Sequence, residues 1–244
     1  TVELAALSQA IPAHARSALE GQVGGFDRLD ASHKRIAQLR RSAGLEVPGA
    51  SREWQQLESH AAAVLAKRTD VEALQDAATI INASIASILD LSNELLDRAG
   101  STSIIQEFQQ RAARIGRSAS GLTTNSDATS VAQSIVDDVA FLHLVTDALS
   151  GENTVLDVRP LNVEGREVAL VPLASHLTDI DVQLDRISAG VSQVIDLSAV
   201  HAELAASAAS LENAFAGTRA GSILPGFLQI TWIPIGRIDR KSGV

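Results

Sequence analysis

The chain has 244 residues, carries a formal net charge of −9 and contains no cysteine, methionine or tyrosine. This acidic balance argues against a nucleic-acid-binding surface, because neutralising phosphates requires clustered Lys and Arg. The absence of cysteine excludes disulfides, thiolate metal sites and thiol catalysis. Hydrophobic residues make up 45% of the chain and aromatic residues only 3%. A core built mainly of Ala, Leu, Ile and Val favours closely packed helices.

Glycine and capping signals divide the first hundred residues into four predicted helices. The Gly24-Gly25 pair disfavours a continuous helix and separates the first two elements. Ser51 has a side chain well suited to an N-cap, as do Thr69 and Asp70. The predicted elements are a helix ending before Gly24, a helix over residues 26–39, a connection over residues 42–50, a helix capped by Ser51 and a helix capped by Thr69 and Asp70 that reaches Arg98.

The rest of the chain repeats this layout with a longer connection. Apolar residues in alternating steps of four and three place one apolar stripe along residues 173–194, the clearest helix in the sequence. The connection over residues 150–172 is either functional or a plain insertion. The predicted elements are a helix over residues 102–122, a polar turn over 123–127, a helix ending at Leu149, this connection, the helix over 173–194 and a last helix from Asp196 or Ser198 to Phe215.

A short stretch recurs a little over one hundred residues later. Residues 9–18 and residues 110–119 agree at Gln, Arg, Ser and Ala in the same register. Because each copy opens a helix-rich block with the same order of elements, the sequence predicts a tandem repeat. We therefore expect an all-α fold of two stacked four-helix bundles, elongated, with one module from residues 1–100 and the other from residues 101–217.

The tail over residues 218–244 differs from the rest of the chain. It holds two prolines within an apolar stretch and ends in a basic flank over residues 237–241. The apolar stretch is too short to cross a bilayer, and no longer apolar run precedes it, so we expect that this piece alone does not span a membrane. The basic flank is nevertheless typical of a membrane exit. An added or partner-like extension is the other interpretation, and the origin and conformation of the tail stay open.

The sequence offers no arrangement typical of catalysis. The six histidines are scattered, without the HxxxH or HExxH spacing of metal sites. Asp137 and Asp138 are neighbours on a helix and point about 100° apart, so they do not form a catalytic pair. Walker loops, dinucleotide-binding glycine fingerprints and nucleophile elbows are missing. We predict a non-enzymatic protein with no catalytic residue, metal or cofactor.

One constellation suggests a binding site. Steps of three place Arg111, Arg114 and Arg117 along one helical face, where they can receive a small anion or an acidic surface through bidentate hydrogen bonds. Together with Gln110 they are the candidate ligand-binding residues. The alternative is a solvated basic stripe. Glu107, one helical turn before Arg111, favours this alternative because it can pair with Arg111.

Several motifs resemble the PilJ-type modules found in methyl-accepting chemotaxis transducers of type IV pilus systems. The resemblance covers residues 5–216, whereas the tail does not supply the second transmembrane helix that the family has at this point. The motifs that carry the resemblance are Leu7-Ser8-Gln9, Phe26-Asp27-Arg28-Leu29, the helix start at Trp54, Asp76-Ala77-Ala78 to Asn82, Gln109-Gln110-Arg111 to Arg114-Ile115, and Ala148-Leu149-Ser150-Gly151.

The resemblance implies a periplasmic sensor domain of a bacterial inner-membrane receptor. Such a receptor controls twitching motility and surface sensing through helix repacking, with type IV pilin as a candidate protein signal and a homodimer as the expected assembly. The module family also includes nitrate-sensing kinases, whose ligand lies between arginines on first helices. The helix with Arg111 and Arg114 is the equivalent place, whereas Ala10, Pro12 and Ala13 weaken such a site in the first copy. A small-anion sensor and a purely structural helical assembly module remain alternatives, and the small-molecule ligand is unknown.

Overall fold

Helices account for all regular secondary structure in the described part of the chain. The computed structural model describes residues 2–43, 50–99, 102–125, 127–153, 155–156 and 158–221, so most of the predicted tail and the predicted module boundary at residues 100 and 101 lie outside it. The predicted all-α class is confirmed. The elements are α1 (Val2–Leu19), α2 (Gly25–Ala43), α3 (Ser51–Ala66), α4 (Arg68–Ala99), α5 (Thr102–Ser120), α6 (Ala128–Ser150), α7 (Val163–Gly165), a π-helical stretch (Arg166–Leu170), α8 (Val171–Val194) and α9 (Leu197–Gly221).

Two predicted caps are wrong. The N-cap position of α3 is Ala50, and no side chain caps this helix, so Ser51 is its first helical residue. Thr69 and Asp70 lie inside the first turn of α4 and do not precede it. Only Lys67 separates α3 from α4, and its backbone N–H bonds back to the last turn of α3. The chain therefore passes from α3 into α4 almost without interruption.

The predicted long connection is shorter than expected. It begins at Gly151, whose left-handed backbone (φ 85°) ends α6. Helical structure already resumes at residue 163, where the side chain of Asn162 accepts a hydrogen bond from the backbone N–H of Gly165. Pro172 lies in the first turn of α8, where its missing N–H costs little. Proline at this position thus continues the helical path from the π-helical stretch and does not mark the end of a loop.

The helices pack in two sets of four. In the first set, α1 and α3 each pack against α2 and α9. In the second set, α4 and α6 each pack against α5 and α8. Buried apolar side chains from every long helix form the core, among them Leu29, Trp54, Ile81, Phe108 and Leu177.

These two sets do not follow the predicted division of the chain. Helix α4 belongs to the predicted module of residues 1–100 but packs with α5 and α8, while α9 belongs to the predicted module of residues 101–217 but packs with α1 and α3. The reason is that α3 runs straight on into α4, and α8 into α9, so neither α4 nor α9 folds back on its own half. Each half of the chain therefore contributes its last helix to the other set, which we call the exchange. That residues 1–100 and 101–217 are two modules stays a prediction.

Burial supports the repeat in spite of this exchange. With an offset of 101 residues, four of the seven buried positions of α1 fall on buried positions of α5. Helix α1 packs against α2 and α9, and α5 packs against α6 and α4, so the two helices occupy equivalent places in their sets. The matching buried pairs are Leu4 and Ile105, Ile11 and Ala112, Ala15 and Gly116, and Ala18 and Ala119.

Side-chain contacts give the directions of the helices in the first set. The ring of Trp54 lies 5.9 Å from that of Phe215, and His60 Nε2 lies 3.1 Å from Glu203 Oε2, so α3 and α9 are antiparallel. Arg40, near the end of α2, stacks on Trp54 at the start of α3, so these two helices are antiparallel as well. Because α1 and α2 form a hairpin, α1 is parallel to α3. The start of α1 and the end of α9 therefore lie at the same end of the set.

One helical run passes a test for membrane spans by length and composition. Within the described residues it extends over Val163–Ala216, and 33% of its most apolar window is buried. In α8 the buried residues Leu177, Ile180, Leu184 and Ile187 recur every three or four positions, as on the inner face of a packed amphipathic helix. Packing in the core accounts for this stripe of α8, whereas most of the apolar window of the run is not buried.

The tight α1–α2 hairpin predicts a cost for a side chain at Gly25. A Cβ atom there would lie 2.6 Å from the backbone nitrogen of Ala18, closer than packing allows. We expect Gly25→Ala to lower the free energy of unfolding by about 1–3 kcal/mol. Gly121→Ala is the control, since its Cβ would meet its nearest atom at 3.7 Å. Urea unfolding followed by circular dichroism measures both, and equal stability of the two variants would contradict the prediction.

Candidate functional site

The arginine face of α5 meets a buried carboxylate on α6. The side chain of Asp138 is only 3% exposed. Arg114 donates from Nε to Oδ2 of Asp138 at 2.6 Å and from Nη2 to Oδ1, and Nη1 of Arg111 lies 3.5 Å from Oδ1. An ionised carboxylate in the interior is strongly unfavourable without such partners. The two arginines therefore neutralise Asp138.

Arg111 has two further partners. Its Nε and Nη2 donate to Oε1 of Glu107 at 3.0 and 2.7 Å. Its guanidinium carbon lies 4.0 Å from the ring centroid of Phe141, a cation–π geometry. The hydrogen bond with Asp138 also raises the pKa of Arg114 above its ordinary value, so this group stays charged. Both guanidinium groups are thus held by groups within the protein.

The structure brings together only part of the predicted binding set. Arg111 and Arg114 converge on Asp138, whereas Gln110 and Arg117 are exposed and make no hydrogen bond or ion pair with the described residues. The charges of Arg111 and Arg114 are balanced by Glu107 and Asp138. A small anion would have to displace a carboxylate, which disfavours this face as an open anion site. The sequence signal for Asp138 was its charge within the apolar seam of α6.

A second polar region, the junction, lies where the two helix sets meet. Nε2 of Gln75 on α4 donates to the carbonyl oxygens of Ala18 and Leu19 at 2.9 and 3.0 Å. Oγ1 of Thr123, in the α5–α6 turn, donates to Leu19 at 2.7 Å. The last carbonyls of a helix lack intrahelical partners and need other donors. The C-terminus of α1 in the first set is therefore capped by side chains of the second set.

Arg68 forms an ionic link across the same junction. Its Nη1 lies 2.8 Å from Oδ1 of Asp27 on α2, and its Nε lies 2.8 Å from Oε1 of Glu72. The guanidinium carbon stands 5.6 Å from the ring centroid of Phe26. The hydrogen bond with Asp27 raises the pKa of Arg68. These groups are half exposed, so the link contributes little stability and mainly orients α2 on α4.

Two clefts open at the junction. One has a volume of about 200 Å³, and Glu20 is the one charged residue among its lining, which includes Gln75, Asn82 and Ser120. The other has a volume of about 270 Å³ and is lined by Arg16, Glu20, Thr123, Thr124, Ser198, His201 and Leu19. Glu20 and Thr123 line both clefts. Sequence reasoning missed this region because its residues come from four separate segments.

The histidines link helices but do not converge. The described residues contain no group of three or more His, Asp or Glu side chains placed to hold a metal ion. Four of the histidines instead contact a neighbouring helix of the same set. The pairs are His14 with Ser32 at 3.0 Å, His60 with Glu203 at 3.1 Å, His143 with Asp181 at 3.0 Å and His201 with the carbonyl of Pro12 at 3.3 Å.

Comparison with known proteins gives no family assignment. No protein-family model matches the chain, and no curated protein matches it. The likeness to PilJ-type modules thus stays a prediction from short motifs. The features of the chain that bear on function are the helix arrangement, the Asp138 cluster and the junction.

The Asp138 cluster predicts unequal effects for two arginine variants. Arg114→Gln leaves the carboxylate with Arg111 as its only cation, at 3.5 Å. We expect it to lower the free energy of unfolding by about 2 kcal/mol, the usual cost of removing one partner of a buried polar group. Arg117→Gln, the control, changes it by less than about 0.5 kcal/mol, as do most surface changes. Urea unfolding distinguishes the two. Equal small effects would mean that Asp138 does not depend on Arg114.

Proposed function

We propose that this chain is the sensory domain of a membrane-anchored bacterial receptor of the PilJ type, built as two stacked four-helix bundles. The two helix sets are the bundles in this proposal. The observation that carries it is the position of the start of α1 and the end of α9 at one end of the first set. A domain held between two membrane helices needs both of its connections on the side that faces the membrane.

The arrangement of the helices supports a role in transmitting a signal from the second set to the first. Helices α3 and α8 continue into α4 and α9 across breaks of one and two residues. Next to these breaks, Nζ of Lys67 donates to Oε1 of Gln193 at 3.2 Å. A shift of α8 within the second set therefore acts directly on α9, which packs against α1. Small sliding or rotation of packed helices is a known way to carry a signal along a bundle.

Signalling by such a movement requires two arrangements of the helices, one before and one after the shift. A signal must bind these two arrangements with unequal affinity, because a ligand with equal affinity for both does not change their populations. We propose type IV pilin as the protein signal, a periplasmic location, a homodimer, and control of twitching motility and surface sensing as the output. These parts of the proposal come from the motif resemblance. The function is non-enzymatic.

The alternatives have less support from the geometry. A nitrate-type anion sensor at Arg111 and Arg114 would have to break their contacts with Asp138 and Glu107. Charge reversal at Arg114 would also place a second carboxylate beside the buried Asp138, so a lost response would not isolate ligand binding. A rigid assembly module would show no change between α1 and α9 on exposure to any signal.

The proposal predicts a movement of α1 relative to α9. The chain contains no cysteine, so Ala6→Cys with Glu212→Cys gives two clean attachment points for spin labels at exposed positions. We expect soluble type IV pilin to shift the label distance by about 1–2 Å or more, the scale of helix shifts in signalling.

Double electron–electron resonance measures this distance. Labels at Ala73→Cys and Asp90→Cys, both exposed and about 25 Å apart along α4, are the control, and their separation should not change. Pilin binding without a change between α1 and α9 would contradict signalling by helix repacking. Absence of pilin binding would remove pilin as the signal.

A further inference from the structure

The larger junction cleft carries opposite charges on its walls. Arg16, in the last turn of α1, and Glu20, directly after its end, both line it. Thr124 in the α5–α6 turn and Ser198 and His201 on α9 complete its polar lining. A volume of about 270 Å³ falls just below the range of about 300–1,000 Å³ that is typical for drug-sized ligands. The cleft therefore suits a smaller polar molecule.

Hydrogen-bond donors for an anion are present on one part of this lining. Arg16 uses its Nε for the 2.7 Å bond with Oε1 of Glu20, and its two Nη groups have no partner among the described residues. The half-buried hydroxyl of Ser198 likewise has no partner there. The paired Nη groups of a guanidinium match the two oxygens of a carboxylate.

Acceptors for a cation are present as well. Oε2 of Glu20 accepts only a long bond, at 3.3 Å, from Nε2 of Gln22. His201 Nε2 lies 3.3 Å from the carbonyl oxygen of Pro12, and since a carbonyl only accepts, Nε2 carries the hydrogen. In the neutral ring, Nδ1 is then an acceptor. Glu20 and His201 can thus receive the hydrogens of an ammonium group.

We infer that this cleft binds a free α-amino acid, with its carboxylate on Arg16 and Ser198 and its ammonium group on Glu20 and His201. An α-amino acid carries its ammonium and carboxylate groups on the same carbon atom, and the cleft offers partners for both. A simple carboxylate would leave Oε2 of Glu20 and Nδ1 of His201 unused, and a simple amine would leave the two Nη groups of Arg16 unused.

The cleft lies between the two helix sets, so an amino acid bound there would contact both. Its walls come from α1 and α9 of the first set and from the α5–α6 turn of the second set. An occupant would contact both sets at the point where Thr123 caps α1. A role for this amino acid as a signal rests on the proposed function, whereas binding itself rests on the cleft alone.

Isothermal titration calorimetry of the full chain with each proteinogenic amino acid tests the site. Acetate and ethylammonium, which each carry one of the two charges, are the matched probes. We expect at least one amino acid to bind at least tenfold more tightly than either probe. Arg16→Gln and Glu20→Gln should each weaken that binding at least tenfold. Arg117→Gln, at the equivalent position of the repeat, should leave it unchanged, and circular dichroism checks that all three variants keep their helix content.

Three results would overturn the inference: no amino acid binds, acetate binds as tightly as the best amino acid, or binding survives both Arg16→Gln and Glu20→Gln. The same amino acid added to the spin-labelled Ala6→Cys/Glu212→Cys protein separates the two proposals. If the amino acid binds but the label distance does not change, the binding site is confirmed and its role as a signal is contradicted. A response to pilin in a chain that binds no amino acid keeps the proposed function and removes the site.

Discussion

The fold depends on the passage of α3 into α4 across a single residue. Because Lys67 bonds back to the last turn of α3, α4 continues away from α1, α2 and α3 and cannot cover their apolar faces. Its own face, with Leu74, Ile81 and Ile88, is buried against α5 and α8 instead. The first set is then one helix short until α9 returns along α1 and α3. This exchange brings α9 into one set with α1, α2 and α3 and makes the other set a continuous segment.

The two sets differ in how they bury charge. In the second set Asp138 is paired with Arg111 and Arg114, while Ala10 and Ala13 occupy the corresponding places in α1. A buried ion pair contributes little net stability but is costly to break on one side. We interpret it as a device that fixes α5 against α6 in one register. The first set relies on the packing of Ile11, Leu29 and other apolar side chains in its place.

Local chemistry made most helix boundaries predictable from the sequence. The apolar stripe of α8 and the Gly24-Gly25 pair at the start of α2 act within a few residues, and the structure has these elements where they were expected. The exchange of α4 and α9 was not predictable in this way, because the same apolar stripe can be buried by any neighbour. The pairing of Asp138 with Arg114 spans 24 residues, and the junction cleft joins α1 to α9. Such long-range contacts leave no periodic signal in the sequence.

The exchange of the last helices is the central claim, and comparing two segments of the chain tests it most directly. Residues 68–194 contain α4, α5, α6 and α8, a complete set, whereas residues 101–217 lack α4 and hold α9 without α1 and α3. Urea unfolding followed by circular dichroism should show a cooperative helical transition for residues 68–194 and none for residues 101–217. A cooperative transition for residues 101–217, with residues 68–194 failing to fold, would contradict the exchanged arrangement and favour two consecutive modules.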